Sequence, residues 1–121
     1  MSTTPNPVDI TLHQRSGVLE VAFEDGSRFE LPAEFLRVQS PSAEVKGHGP
    51  GQEVLQVGKR QVEIVALEPV GHYGLKPVFS DGHDSGIFTW SYLYQIGQDQ
   101  AALWQRYLDQ LAAAGASRDP A

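Results

Sequence analysis

In the first third of the chain, apolar residues fall at strand spacings: Ile10 and Leu12, then Val18, Leu19, Val21 and Phe23 beyond a Ser16-Gly17 break. Glu24-Asp25-Gly26-Ser27 signals a tight turn, since Asp-Gly suits positions of positive φ, and Phe29 and Leu31 resume the alternation after it. This pattern predicts an antiparallel meander over residues 8–31. Pro32 then opens the helical stretch PAEFLRVQ, where proline fits a first turn, Glu34 complements the helix dipole, and Phe35, Leu36 and Val38 face the sheet. The following SPSAEVKGHGPGQ, rich in Pro, Gly and Ser, reads as a loop. Residues 53–57 and 61–70 flank Gly58-Lys59-Arg60 as a second hairpin, and apolar residues on both sides of its second strand predict burial on both faces. Residues 75–79 give a further strand, placed at an edge or on a bulge because Pro77 has no N–H to donate.

Helical periodicity takes over after Thr89. Thr89 is positioned to cap a helix from Trp90 that Gly97 ends, and Asp99 to cap a second. In that second helix Leu103, Trp104, Tyr107, Leu108 and Leu111 recur at three- and four-residue intervals, leaving Gln105, Arg106, Asp109 and Gln110 on the opposite side. The expected fold is α+β: a small, mainly antiparallel sheet with a short mid-chain helix and two C-terminal helices. One domain is expected over residues 9–114, with a disordered tail at 1–8 and a frayed one at 115–121.

Composition narrows the partners more than the activity. The 121 residues carry 15 Asp+Glu against 9 Lys+Arg, a net charge of −6, and the basic residues are scattered, which argues against nucleic acid. No apolar run nears the ~20 residues that span a bilayer, and the N-terminal MSTTPNPVD has no apolar signal core. With no cysteine, thiol catalysis, iron–sulfur ligation and thiolate zinc sites are excluded. The expectation is a cytoplasmic protein without cofactor, bound to a protein partner or to further copies of itself.

Candidate chemistry is sparse. Gly47, Gly49 and Gly51 suggest a phosphate loop, but the dinucleotide fingerprint fails at Gln52 and the P-loop pattern before Gly58-Lys59 fails at Glu53. Neither the Gly-x-Ser-x-Gly elbow nor a His-x-Asp iron motif occurs. The densest polar cluster is Asp81, His83 and Asp84, able in principle to bind a metal or move protons. Its plainer reading is a turn, in which the aspartates accept from nearby amides and Gly82 and Gly86 take positive φ.

The run GHYGLKPVFSDGHDSGIFTWSYL, with the earlier DGSRFELPAEFLRVQSPSAEV, resembles the DUF971 family, also called the γ-butyrobetaine hydroxylase-like N-terminal domain, over residues 10–111. The resemblance implies an α+β domain that occurs alone, or fused to carnitine-synthesis dioxygenases or to P-loop iron–sulfur carrier ATPases. In the hydroxylases it implies a structural zinc held by three cysteines and a histidine. Ser40, Ser42 and Val45 stand at the cysteine positions and His83 at the histidine, so the zinc site is expected to be degenerate and empty of metal. The dioxygenase domain has no counterpart in this chain. The leading expectation is a non-enzymatic accessory or interaction domain, linked to iron–sulfur handling or oxygenase partners. It would present His48, Tyr73, Asp81, His83 and Asp84 from the 40–52 loop and the 80–86 turn. The alternatives are a metal-binding module using His48, His72, His83 and nearby carboxylates, and a small enzyme using Asp81 and His83 as a base pair.

Overall fold

Alternation in the first third builds the expected meander. A computed structural model describes residues 4–47 and 51–120. Strands β1 (Pro7–His13), β2 (Val18–Phe23) and β3 (Arg28–Pro32) pair antiparallel in that order. β1 starts inside the segment expected as a tail. Val21 of the central strand faces Ile10 on one side and Phe29 on the other. Leu19, Val21 and Phe23 are buried beneath the sheet. Helix α1 (Ala33–Val38) follows at once, with Pro32 in the N-cap position and every residue of the helix buried. Phe35 and Leu36 join the main core, whereas Val38 turns to a smaller cluster with Tyr107 and Leu111 rather than to the sheet.

The second half departs from expectation in its pairing. Instead of one sheet there are two of three strands each, the second formed by β4 (Ile64–Val70), β5 (Gly74–Phe79) and β6 (Phe88–Thr89), all antiparallel. Residues 53–57 form no strand, and β4 pairs with β5. The backbone that the hairpin required is used elsewhere: the amides of Gly58 and Arg60 donate to the carbonyls of Ser117 and Arg118 at 3.0 and 2.9 Å. β4 is not buried on both faces either. Only Ile64 in it is buried, and Val65 is 53% exposed. Pro77 sits in the middle strand, but β6 reaches only Gly74 and Leu75, so at Pro77 the sheet has a neighbour on one side alone.

The proline- and glycine-rich stretch contains a helical turn, α2 (Ala43–Lys46), capped by Ser42 Oγ accepting from the Glu44 amide at 3.2 Å. Helices α3 (Trp90–Gln98) and α4 (Gln100–Ala114) close the fold. Thr89 Oγ1 caps α3 by accepting from the Tyr92 amide. Gly97 does not end α3; it lies within it, where an added Cβ would stand 2.5 Å from the Phe29 ring. Close approach of helix and sheet, not a stop, explains that glycine. Asp99 occupies the junction without a side-chain cap. Leu103, Trp104, Tyr107, Leu108 and Leu111 share the inward face of α4 as expected. The segment after Gly115 does not hang free. Arg118 forms a two-pronged ion pair with the Glu34 carboxylate at 2.7 and 2.8 Å and lies 4.9 Å over the Trp104 ring. Among the described residues, no helix is long and apolar enough to cross a membrane.

Candidate functional site

The 80–86 turn packs its polar side chains against the corner between α1 and α2. Gly82 takes φ +90°, as a turn glycine should, while Gly86 does not have positive φ. Gly86 is needed for space, because a Cβ there would stand 2.2 Å from Ser40 Oγ. Beneath it the His83 ring is buried, only 4% of the residue being exposed. Its Nε2 is 2.8 Å from Ser40 Oγ and its Nδ1 is 2.9 Å from Glu44 Oε2. The Ser42 amide donates to Ser40 Oγ at 3.3 Å, and Ser42 Oγ is 2.6 Å from Ser85 Oγ, which donates to Glu44 Oε1 at 3.1 Å.

The carboxylate fixes the direction of one of these bonds. The hydrogen bond from His83, then that from Ser85, hold the exposed Glu44 carboxyl below its ordinary pKa. An ionised carboxylate only accepts, so Nδ1–H of His83 donates to Glu44, while Nε2 shares a hydrogen bond with the Ser40 hydroxyl. The result is a connected chain: the Ser42 amide donates to Ser40, Ser40 pairs with His83, and His83 donates to Glu44. A serine–histidine–carboxylate chain is the arrangement that activates a nucleophilic serine. Here, though, Ser40 has no solvent exposure and Gly86 lies against its oxygen.

Asp81 is committed elsewhere. Its Oδ2 accepts from Arg37 Nε at 2.9 Å and Lys59 Nζ at 2.8 Å, and its Oδ1 from the His83 amide at 3.2 Å. Burial pushes its pKa up, but the hydrogen bonds from Lys59 and Arg37 outweigh it and hold the carboxyl at about 2. Asp81 and the His83 ring therefore do not form the expected base pair; the carboxylate that meets the ring is Glu44.

The structure brings Ser40, Ser42 and His83 together and leaves Val45 out, buried toward the cluster of Val38 and Tyr107. Hydroxyls, one imidazole with both nitrogens engaged and one surface carboxylate do not fit a closed zinc site. Among the described residues, no three His, Cys, Asp or Glu side chains are placed to share an ion. His72 is exposed in the turn before β5, where its carbonyl accepts from Trp90 Nε1. His48 lies outside the described residues. Tyr73 is 53% exposed and Asp84 is exposed, but His83, expected at the surface, is buried. Sequence reasoning missed Glu44, Ser85, Arg37 and Lys59. For Glu44 a signal existed: Ser42 followed by Ala43-Glu44 is a helix start.

The γ-butyrobetaine hydroxylase-like N-terminal family model matches residues 10–94. No curated protein matches the chain. It is similar to two proteins solved by NMR in solution. The first is 51% identical with a TM-score of 0.85, covering 98% of this chain and 94% of the other. The second is 48% identical with a TM-score of 0.83, covering 99% and 89%. A third similar structure is the crystal structure of a protein of unknown function, of the DUF971 family, from Acidithiobacillus ferrooxidans ATCC 23270. It is 37% identical with a TM-score of 0.66, covering 80% of this chain and 98% of that one. The match over most of the length, on a fold that aligns with its solved relatives, makes this chain a member of the γ-butyrobetaine hydroxylase-like N-terminal domain family, DUF971.

Proposed function

We propose that the chain is a non-enzymatic accessory module that works by being bound. The observation that carries this reading is the closure of its densest polar cluster. Every member of the Ser40–His83–Glu44 chain has its partners, and the one oxygen that would act as nucleophile has no exposure. A buried imidazole and hydroxyl with their partners in place rigidify a corner and specify its packing. Two of the exposed apolar side chains lie beyond it, Tyr73 at 53% and Ile87 at 40%, on segments that the Gly74–Thr89 and Leu75–Phe88 pairs hold together. Exposed aromatic and aliphatic side chains on a rigid support are the usual anchors of a protein contact. The fusions that the family resemblance implies make iron–sulfur carriers and oxygenases the first partners to test.

The test is affinity purification from the native cell followed by mass spectrometry, comparing the native chain with Tyr73→Ala/Ile87→Ser. A partner retained by the native chain and lost by the variant, at equal melting temperature, is expected. Equal retention by both, or turnover of a substrate by the isolated chain, overturns the reading.

A further inference from the structure

On the far side of α2 from the His83 cluster lies a half-open groove of about 570 Å³. One wall is α4, with Leu103, Arg106 and Tyr107; the other is Val38, the α2 residues Val45 and Lys46, and the extended stretch through Val54 and Leu55. The backbone bond from the Val54 amide to the Val45 carbonyl, 2.8 Å, fixes that second wall. The Tyr107 hydroxyl is tied to the Gln56 carbonyl at 2.7 Å, which closes the floor. Val54 is 54% exposed within this lining. The volume is that of an ordinary small-molecule pocket, for which about 300–1,000 Å³ is typical.

Charge sets this groove apart from the rest of the molecule. The chain carries net charge −6, yet the lining holds Lys46 and Arg106 against the single carboxylate of Glu53. Among the described residues, neither cation forms an ion pair. Burial, and then repulsion from Arg106, lower the Lys46 pKa, with Glu53 opposing only in part. An anion between the two would relieve both the desolvation and the repulsion.

We propose that this groove binds a small carboxylate with an apolar body, its charge between Lys46 and Arg106 and its hydrocarbon along Val38, Val45, Val54 and Leu55. This goes beyond the accessory role and uses a different face of α2.

The test is an amide-resolved NMR titration of the full chain with sodium octanoate, with 1-octanol and sodium phosphate as comparison probes. Saturable shifts confined to residues lining the groove are expected for octanoate, with octanol weaker by about tenfold or more and phosphate giving no saturable shift there. Arg106→Gln, at an exposed helix position, should bring octanoate down toward octanol, and Lys46→Gln/Arg106→Gln should complete the loss while the spectrum stays folded. The proposal is overturned by unsaturable or scattered octanoate shifts, by octanol binding equally well, by phosphate binding equally well, or by an Arg106→Gln chain that binds octanoate unchanged.

Discussion

Ser40 and His83 are 43 positions apart in sequence, and their side chains meet at 2.8 Å in the interior. That bond ties the start of α2 to the turn after β5, and Glu44 completes it from the surface side. Replacing Ser40 by alanine leaves Nε2 buried without a partner, and an unmet buried polar atom costs about 1–3 kcal/mol. His83→Ala also opens a cavity and should cost more, roughly 2–4 kcal/mol. Chemical denaturation of both variants checks this. A His83→Ala chain as stable as the native one would show that the turn holds without its imidazole.

Asp81 makes stability depend on acid pH. Its folded pKa of about 2 lies below the ordinary 3.8, so folding favours the charged form. Its contribution is therefore fully present above about pH 4 and drains away as pH falls toward 2, in total on the order of 1 kcal/mol once solvent screening at this partly exposed carboxylate is counted. Glu20, Asp25 and Glu44 are lowered as well and slope the same way. Asp81→Asn isolates the one from the others. It should destabilise the chain at neutral pH by roughly 2–4 kcal/mol, because Arg37 is left buried without its counter-charge, and should flatten the stability curve between pH 4 and 2. A curve parallel to the native one would remove Asp81 from the acid response.

Gly97 sets helix propensity against packing. In an open helix, glycine to alanine gains about 1 kcal/mol. Here three atoms of the Phe29 ring lie 2.5 to 2.9 Å from where the methyl would go. Overpacking of this kind costs about 1–3 kcal/mol, so Gly97→Ala should lower the melting temperature. The double change Gly97→Ala/Phe29→Leu should recover part of the loss. A stabilised single variant would mean that α3 slides off β3 freely.

Arg118 is the clasp of the C-terminal segment. Arg118→Ala strands the Glu34 carboxylate, whose side chain is only 9% exposed, and removes the cation from the Trp104 face. A loss of roughly 2–4 kcal/mol is expected. Ending the chain after Gly115 should cost at least as much, since it also removes the carbonyls that accept from Gly58 and Arg60. Thermal unfolding of the truncated chain decides; an unchanged midpoint would return this segment to the status of a loose end.

Zinc loading tests the donor set directly. With both His83 nitrogens engaged and hydroxyls at Ser40 and Ser42, elemental analysis after incubation with zinc and desalting should find well under one equivalent. A stoichiometric ion would show that the network opens to admit a metal.

What was legible in the sequence follows how local each interaction is. The first meander was readable because the Asp25-Gly26 turn and strict alternation specify one another over a few residues, and the Thr89 cap because its partner amide is three positions on. The supposed hairpin around Gly58 failed for the opposite reason. Its flanks had strand-like composition, but their backbone groups were claimed by Ser117 and Arg118 from the far end. At the candidate site, family resemblance placed Ser40, Ser42 and His83 at one location. It said nothing of Glu44, which carries no ligand role there and enters only because α2 turns its carboxylate toward the imidazole. Asp81 looked like the partner of His83 because it is two residues away, yet adjacency in a turn aimed its carboxylate at Arg37 and Lys59 instead.

The pairing of Glu34 with Arg118 also orders events during synthesis. The two residues are 84 positions apart, so α1 emerges from the ribosome long before its counter-charge exists. Until then a carboxylate sits at the start of a helix that must be buried, and the helix has reason to stay loosely docked. Final consolidation of the corner therefore waits for residue 118, and a chain halted within α4 should hold α1 less firmly against the core that the first meander already offers it.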